Sequence, residues 1–127
     1  MRHSDLPPPG AYKMVLVLRA DLRLSPGKAA VQAAHAAVNL VLGIGGGKAG
    51  ELLRSWTAEG GRKIAVTAPS LEALRELERN ARARGLPTAL IQDAGYTEVA
   101  PGTTTCLGIG PGRTAEVDAV TGHLPLL

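Results

Sequence analysis

MVLVLRADLRLSPGKAAVQAAHAAVNL, residues 14 to 40, decides the fold. Met14 to Leu18 is an unbroken run of apolar, mostly strand-forming residues. Such a run suits a central strand covered on both faces. Ser25-Pro26-Gly27 then opens a helix, with Ser25 at the N-cap and Pro26 in the first turn. The helix continues to about Leu42 and stops in Gly43-Ile44-Gly45-Gly46-Gly47. A strand that feeds a long apolar helix is the opening unit of an α/β domain.

The rest of the chain repeats that alternation. Lys48 to Glu59 reads as a second helix packing through Leu52, Leu53 and Trp56, and Gly60-Gly61 ends it. Lys63 to Ala68 is a second strand. Ser70 caps a third helix whose apolar stripe is Leu71, Leu74, Leu77 and Ala81. Pro87 to Gln92 and Thr104 to Ile109 are two further strands, and a short helix spans Thr114 to Val120. The order β-α-α-β-α-β-β-α predicts one α/β domain with a mixed four-stranded sheet and helices on both faces. The sheet is expected to be mostly parallel. The connection before the last strand is too short for a crossover helix, so that strand is expected to be antiparallel. Residues 1–12, with their proline run, read as a flexible tail, and residues 13–127 as the domain.

Composition narrows the function classes. The 127 residues include 45% apolar side chains but no Phe, so Ala, Leu, Val and Ile must fill the core. The single cysteine, Cys106, excludes an intrachain disulfide, and its apolar setting predicts a small core residue. No stretch approaches the roughly 18 apolar residues of a membrane span. The N-terminus lacks the apolar core of a signal peptide, so a cytoplasmic protein is expected. The net charge of +3 is a mild bias toward anionic partners.

Several motif readings fail. The SPGK segment lacks the flanking residues of a phosphate-binding loop, with Leu22 and Ala29 in the decisive places. GIGGG reads as a linker after a helix. GIGPG, residues 108 to 112, follows a strand and precedes a helix, but lacks the third glycine of a dinucleotide fingerprint. No serine sits in a nucleophile elbow. Arg75, Arg79 and Arg82 on the third helix lie among Glu72, Glu76 and Glu78, the pattern of a solvated face.

Two features carry chemistry. On the first helix, Lys28, Gln32, His35 and Asn39 fall within about 60° of one another, forming one polar stripe on an otherwise apolar helix. The second feature is DAGYTEVAPGTTTC, residues 93 to 106, which holds four threonines and two acids. In an open sheet, ligands bind beyond the carboxyl ends of the parallel strands. Strand one ends at Arg19 and strand three at Asp93. The antiparallel last strand begins on that same edge. Lys28, Asp93, Thr97 and Thr105 are therefore expected to converge on one rim.

These blocks, KMVLVLRADLRLSPGKAAVQAAHAAV, Trp56 with GGRKIAV, DAGYTEVAPGTTTCLGIGP and TGHLPLL, resemble the Pth2-type peptidyl-tRNA hydrolases from about Lys13 to Leu127. The resemblance implies a compact α/β fold and hydrolysis of the ester that joins a peptide to the 3′ end of tRNA. It implies no metal or organic cofactor, and a homodimer in many members. The family's active-site lysine falls on Lys28, its aspartate on Asp93, its threonines on Thr97 and Thr105, and its Gln-x-x-His pair on Gln32 and His35. Gln32, His35, Arg19 and Tyr96 are the candidates for substrate contact. This chain departs from the pattern at Tyr96, where arginine is frequent, at Pro125, where lysine is frequent, and at Leu24, where methionine is common. The first two changes remove positive charge that would meet tRNA and leave the carboxylate and hydroxyls in place. Two other readings of the residues stay open: a non-catalytic RNA-binding adaptor of the same fold, and a hydrolase of another acyl ester.

Overall fold

A computed structural model describes residue 2, residues 10–95 and residues 97–127. The proposed tail at residues 1–12 lies largely outside the described residues, and Tyr96 lies outside them too. Eight regular elements follow in chain order: β1 (Tyr12–Arg19), α1 (Pro26–Gly43), α2 (Gly47–Ala58), β2 (Lys63–Ala68), α3 (Leu71–Ala83), β3 (Thr88–Gln92), β4 (Thr104–Arg113) and α4 (Thr114–Thr121). A single 3-10 turn, Ala20–Leu22, links β1 to the loop before α1.

The four strands form one sheet in the order β2-β1-β4-β3. Here the expectation of a mostly parallel sheet needs correcting. β1, β2 and β3 do run in one direction, but only β1 and β2 are parallel neighbours. β4 inserts between β1 and β3 and pairs with both in antiparallel fashion. The reason lies in β4 itself. Its residues from Thr104 to Gly112 are all buried, so it belongs in the middle of a sheet with both faces covered. It is also longer than expected. It runs on to Arg113, so the GIGPG segment lies inside a central strand and does not form a loop before a helix.

The alternating faces of the sheet bury two cores. Val15, Val17, Ile64, Val66, Leu107 and Ile109 pack against α3 and α4 through Leu74, Leu77, Val117 and Val120. Met14, Leu16, Leu18 and Cys106 pack against α1 and α2 through Ala29, Ala36, Leu40 and Trp56. Cys106 is a core residue as expected; burial pushes its thiol up to about 12. One ammonium is buried with these side chains. Lys13 meets Asp118 of α4 at 2.6 Å, the partner that a buried cation requires.

Gly108 sets how closely α1 lies on the sheet. A Cβ there would come within 2.7 Å of Leu40 Cδ1 and 3.3 Å of the Ala36 Cβ. A glycine on β4 facing an alanine on α1 lets helix and strand backbones approach closely, and that approach brings the polar stripe of α1 over the end of β3.

The helix is less enclosed than its composition suggests. An apolar helix with one polar line is expected to be buried on most sides. Instead Val31, Val38 and Leu42 are 51%, 54% and 78% exposed. α1 packs on the sheet through Ala29, Ala36 and Leu40, and its outer apolar face has no partner within the described chain.

Candidate active site

Ser25 starts the site. Its hydroxyl accepts a hydrogen bond from the Lys28 backbone N–H at 3.2 Å, which caps α1, and Pro26 occupies the first turn. This fixes Lys28 in the first turn, near the carboxyl end of β3. Asp93 is the first residue beyond β3. Its backbone N–H donates to Thr103 O at 2.8 Å, and its carbonyl accepts from Gly102 N at 2.7 Å. The loop between β3 and β4 is thus pinned at its base, and the aspartate backbone has little freedom. Gly95 makes the loop possible. Its φ is +102°, and a Cβ would lie 2.8 Å from Pro101 Cγ.

The Asp93 side chain is buried and held from both sides. Lys28 Nζ donates to Oδ1 at 2.8 Å, and the Thr97 hydroxyl donates to Oδ2. The Lys28 ammonium, followed by the Thr97 hydroxyl, holds the Asp93 carboxyl below the usual carboxylate range, against the opposing effect of burial. The group is a carboxylate at neutral pH. As such it accepts hydrogen bonds well and is a weak base.

A cavity of about 450 Å³ opens beside this pair. Lys28, Gln32, His35 and Asn39 line one wall, and residues 90–95 together with Thr97 line the other. The polar stripe of α1 is therefore one wall of a cleft, with Gln32 at its buried end and His35 and Asn39 at its exposed end.

The remaining sequence candidates lie elsewhere. Thr105 is beneath the cavity and does not line it. Its side chain is fully buried, accepts from Gln32 Nε2 at 2.5 Å, and donates to Ile91 O at 3.4 Å. Arg19 does not line the cavity either. Its guanidinium pairs with Asp21 at 2.7 Å and donates to Thr104 O at 3.0 Å, bracing β4 against the turn that follows β1.

Sequence reasoning gave no role to Glu98. Its carboxylate receives the Ser25 N–H at 2.9 Å and also binds the Ser25 hydroxyl. Those bonds, the hydroxyl's first, hold its carboxyl below the ordinary range. The first turn of α1 has no acid of its own, so Glu98 supplies negative charge there from across the chain. It also ties the Asp93 loop to the helix that carries Lys28. The only signal for it in the sequence was a second acid in a hydroxyl-rich loop. Among the described residues, no three His, Cys, Asp or Glu side chains cluster closely enough to hold a metal ion.

The family model for peptidyl-tRNA hydrolase PTH2 matches residues 12–127. The chain belongs to the PTH2 family. Its similarity to individual relatives is correspondingly broad. It is 49% identical over 116 residues to the peptidyl-tRNA hydrolase of Methanopyrus kandleri, covering 91% of this chain and 98% of that one. The peptidyl-tRNA hydrolase of Thermococcus onnurineus is 50% identical, with the same coverage. The mitochondrial peptidyl-tRNA hydrolase 2 of Bos taurus is 50% identical over 117 residues, which are 92% of this chain and 65% of the relative. The PTH2 match begins where β1 begins, so it covers every element that builds the cavity.

Proposed function

We propose that this chain hydrolyses the ester between peptide and tRNA, with the Lys28–Asp93–Thr97 cluster as its reactive centre. The observation that carries the reading is a pinned carboxylate held between an ammonium and a hydroxyl on the wall of an open cavity, in a PTH2 family member. Asp93 orients a water toward the ester carbonyl carbon. The water oxygen forms the new bond to that carbon, and the carbonyl π electrons move onto its oxygen. Lys28 stabilises the oxyanion so formed. As the oxyanion collapses, the bond to the ribose 3′ oxygen breaks. One proton of the water replaces the peptide on that oxygen, leaving tRNA and a peptide carboxylic acid, which loses its own proton to solvent at neutral pH.

The depressed basicity of Asp93 favours orientation of the water over outright removal of its proton. Thr97 holds Asp93 in register. Thr105 acts at one remove, as a positioning residue that fixes Gln32 and hence α1. Gln32, His35 and Asn39 line the path along which the substrate enters. No helix among the described residues is long and apolar enough to cross a membrane. We place the action of this chain on tRNA in the cytoplasm. It acts as a homodimer joined through the exposed apolar face of α1. Light scattering on the purified protein would then return twice the chain mass, and a monomer mass would refute the dimer.

The central test is release of tRNA from peptidyl-tRNA, with a metal chelator present. Asp93→Asn should lower kcat by roughly 10²-fold or more; it also breaks the buried pair with Lys28, so the variant should melt below wild type yet stay folded at the assay temperature. An unchanged kcat sinks the assignment. Tight tRNA binding by the wild-type chain without release would favour the adaptor reading. Neither binding nor release would point to another ester.

A further inference from the structure

The proposed reactive centre has little charge with which to attract a polyanion. Lys28 is neutralised by Asp93, and Arg19 nearby is neutralised by Asp21. Unbalanced positive charge gathers instead at the other end of β3. There a groove of about 480 Å³ is lined by Lys48 of α2, Arg84 after α3, and Arg113 at the end of β4, against one carboxylate, Glu116. Glu116 meets Arg84 at 3.5 Å. Among the described residues, Lys48 and Arg113 form no ion pair. Three cations from three separate elements thus share one concavity. The arginines of α3 differ in that glutamates alternate with them on the same helix.

The groove and the reactive cavity lie along one edge. β3 is one of the two outer strands of the sheet; residues 90–95 line the cavity and residues 84–87 the groove. Residues 85–92, GLPTALIQ, carry no charge, so a nucleic acid crossing this edge meets no carboxylate on the strand itself. From Pro87 to Asp93 the extended chain spans roughly 20 Å. A tRNA whose 3′ end entered the cavity would have its acceptor duplex behind that end.

We propose that the Lys48–Arg84–Arg113 groove is a second, phosphate-binding site that holds the backbone of the tRNA body while its 3′ end occupies the cavity. This rests on the hydrolase reading above. Arginine grips phosphate by two parallel hydrogen bonds, and lysine adds a point charge. Contacts of this kind position the nucleic acid and do not discriminate its sequence.

The test pairs Lys48→Ala/Arg113→Ala with a control of equal charge change, Arg75→Ala/Arg79→Ala on α3. All four side chains are exposed. Kd for uncharged tRNA is measured across salt concentrations, and kcat and KM with peptidyl-tRNA. The groove variant should raise Kd and KM about 10-fold, flatten the log–log salt slope by about 2, and keep kcat within about twofold. The α3 control should stay near wild type. Unchanged Kd in the groove variant overturns the proposal, as does equal weakening by both variants, or a fall in kcat with KM unchanged. A wild-type chain that binds tRNA through the groove without hydrolysing it refutes the hydrolase reading and leaves the groove standing. A wild-type chain that does not bind tRNA refutes both.

Discussion

The contact between Gln32 and Thr105 is where α1 is keyed to the sheet beneath the cavity, and a double-mutant cycle measures it. Gln32 is 2% exposed and Thr105 is 0% exposed, so each group relies chiefly on its partner for a hydrogen bond. Thr105→Val keeps the side-chain volume and removes the hydroxyl. The Gln32 amide is then left buried without its 2.5 Å acceptor. An unsatisfied buried amide costs about 1–3 kcal/mol, so about 2 kcal/mol is expected. Gln32→Leu leaves the Thr105 hydroxyl only its 3.4 Å bond to Ile91 O. That change should cost about 1–2 kcal/mol, since the added apolar surface offsets part of the loss. The double variant removes both polar groups and should cost about 1 kcal/mol less than the sum. For a chain of this length the unfolding entropy is roughly 0.27 kcal/mol/K, so each single change should lower Tm by about 4–7 °C. Thermal and urea unfolding supply the four free energies. If the two changes add to within about 0.3 kcal/mol, the side chains are not coupled and the keying argument is wrong. The same variants separate two roles for Thr105. As a positioning residue it should lose activity to a similar degree as Gln32→Leu. A much larger fall in kcat for Thr105→Val alone would mean that its hydroxyl touches the reacting water.

Three further outcomes follow from the geometry. Gly108→Ala places a methyl 2.7 Å from Leu40 Cδ1 and should cost about 1–3 kcal/mol by chemical denaturation, with kcat/KM falling as α1 is pushed off β4; a fully stable, fully active variant would refute the close-approach argument. Ser25→Ala removes the α1 cap and one Glu98 bond, and should cost about 1 kcal/mol in urea unfolding. The pH profile depends on two carboxylates held below their ordinary range in the fold, Asp93 and Glu98. Lowered carboxylates lend stability above their unfolded range, and this is lost as pH falls through the folded values. Hence kcat/KM should show no loss attributable to Asp93 from neutrality down to the ordinary carboxylate range, and should fall only in stronger acid. An inflection between pH 6 and 7 that disappears in Asp93→Asn would contradict an Asp93 carboxyl held below the ordinary range.

The sequence alone determined the elements and most of the cavity wall. Ser25-Pro26 started α1 in the right place because capping is local chemistry, and 3.6-residue periodicity put Lys28, Gln32, His35 and Asn39 on one stripe without any knowledge of the neighbours. Strand direction was enough to bring Lys28 and Asp93 to one rim, and they meet there at 2.8 Å. Tertiary structure decided the rest. That β4 sits between β1 and β3 follows from which strand buries both faces best, a comparison among strands that no single segment encodes. Whether a threonine faces a cavity or a core depends on register against its neighbours, so Thr97 lines the cavity while Thr105 is buried under Gln32. Glu98 reaches Ser25 across 73 residues of sequence, and the outer face of α1 is exposed because no other element among the described residues covers it. Both are outcomes of long-range packing, which local propensity cannot carry.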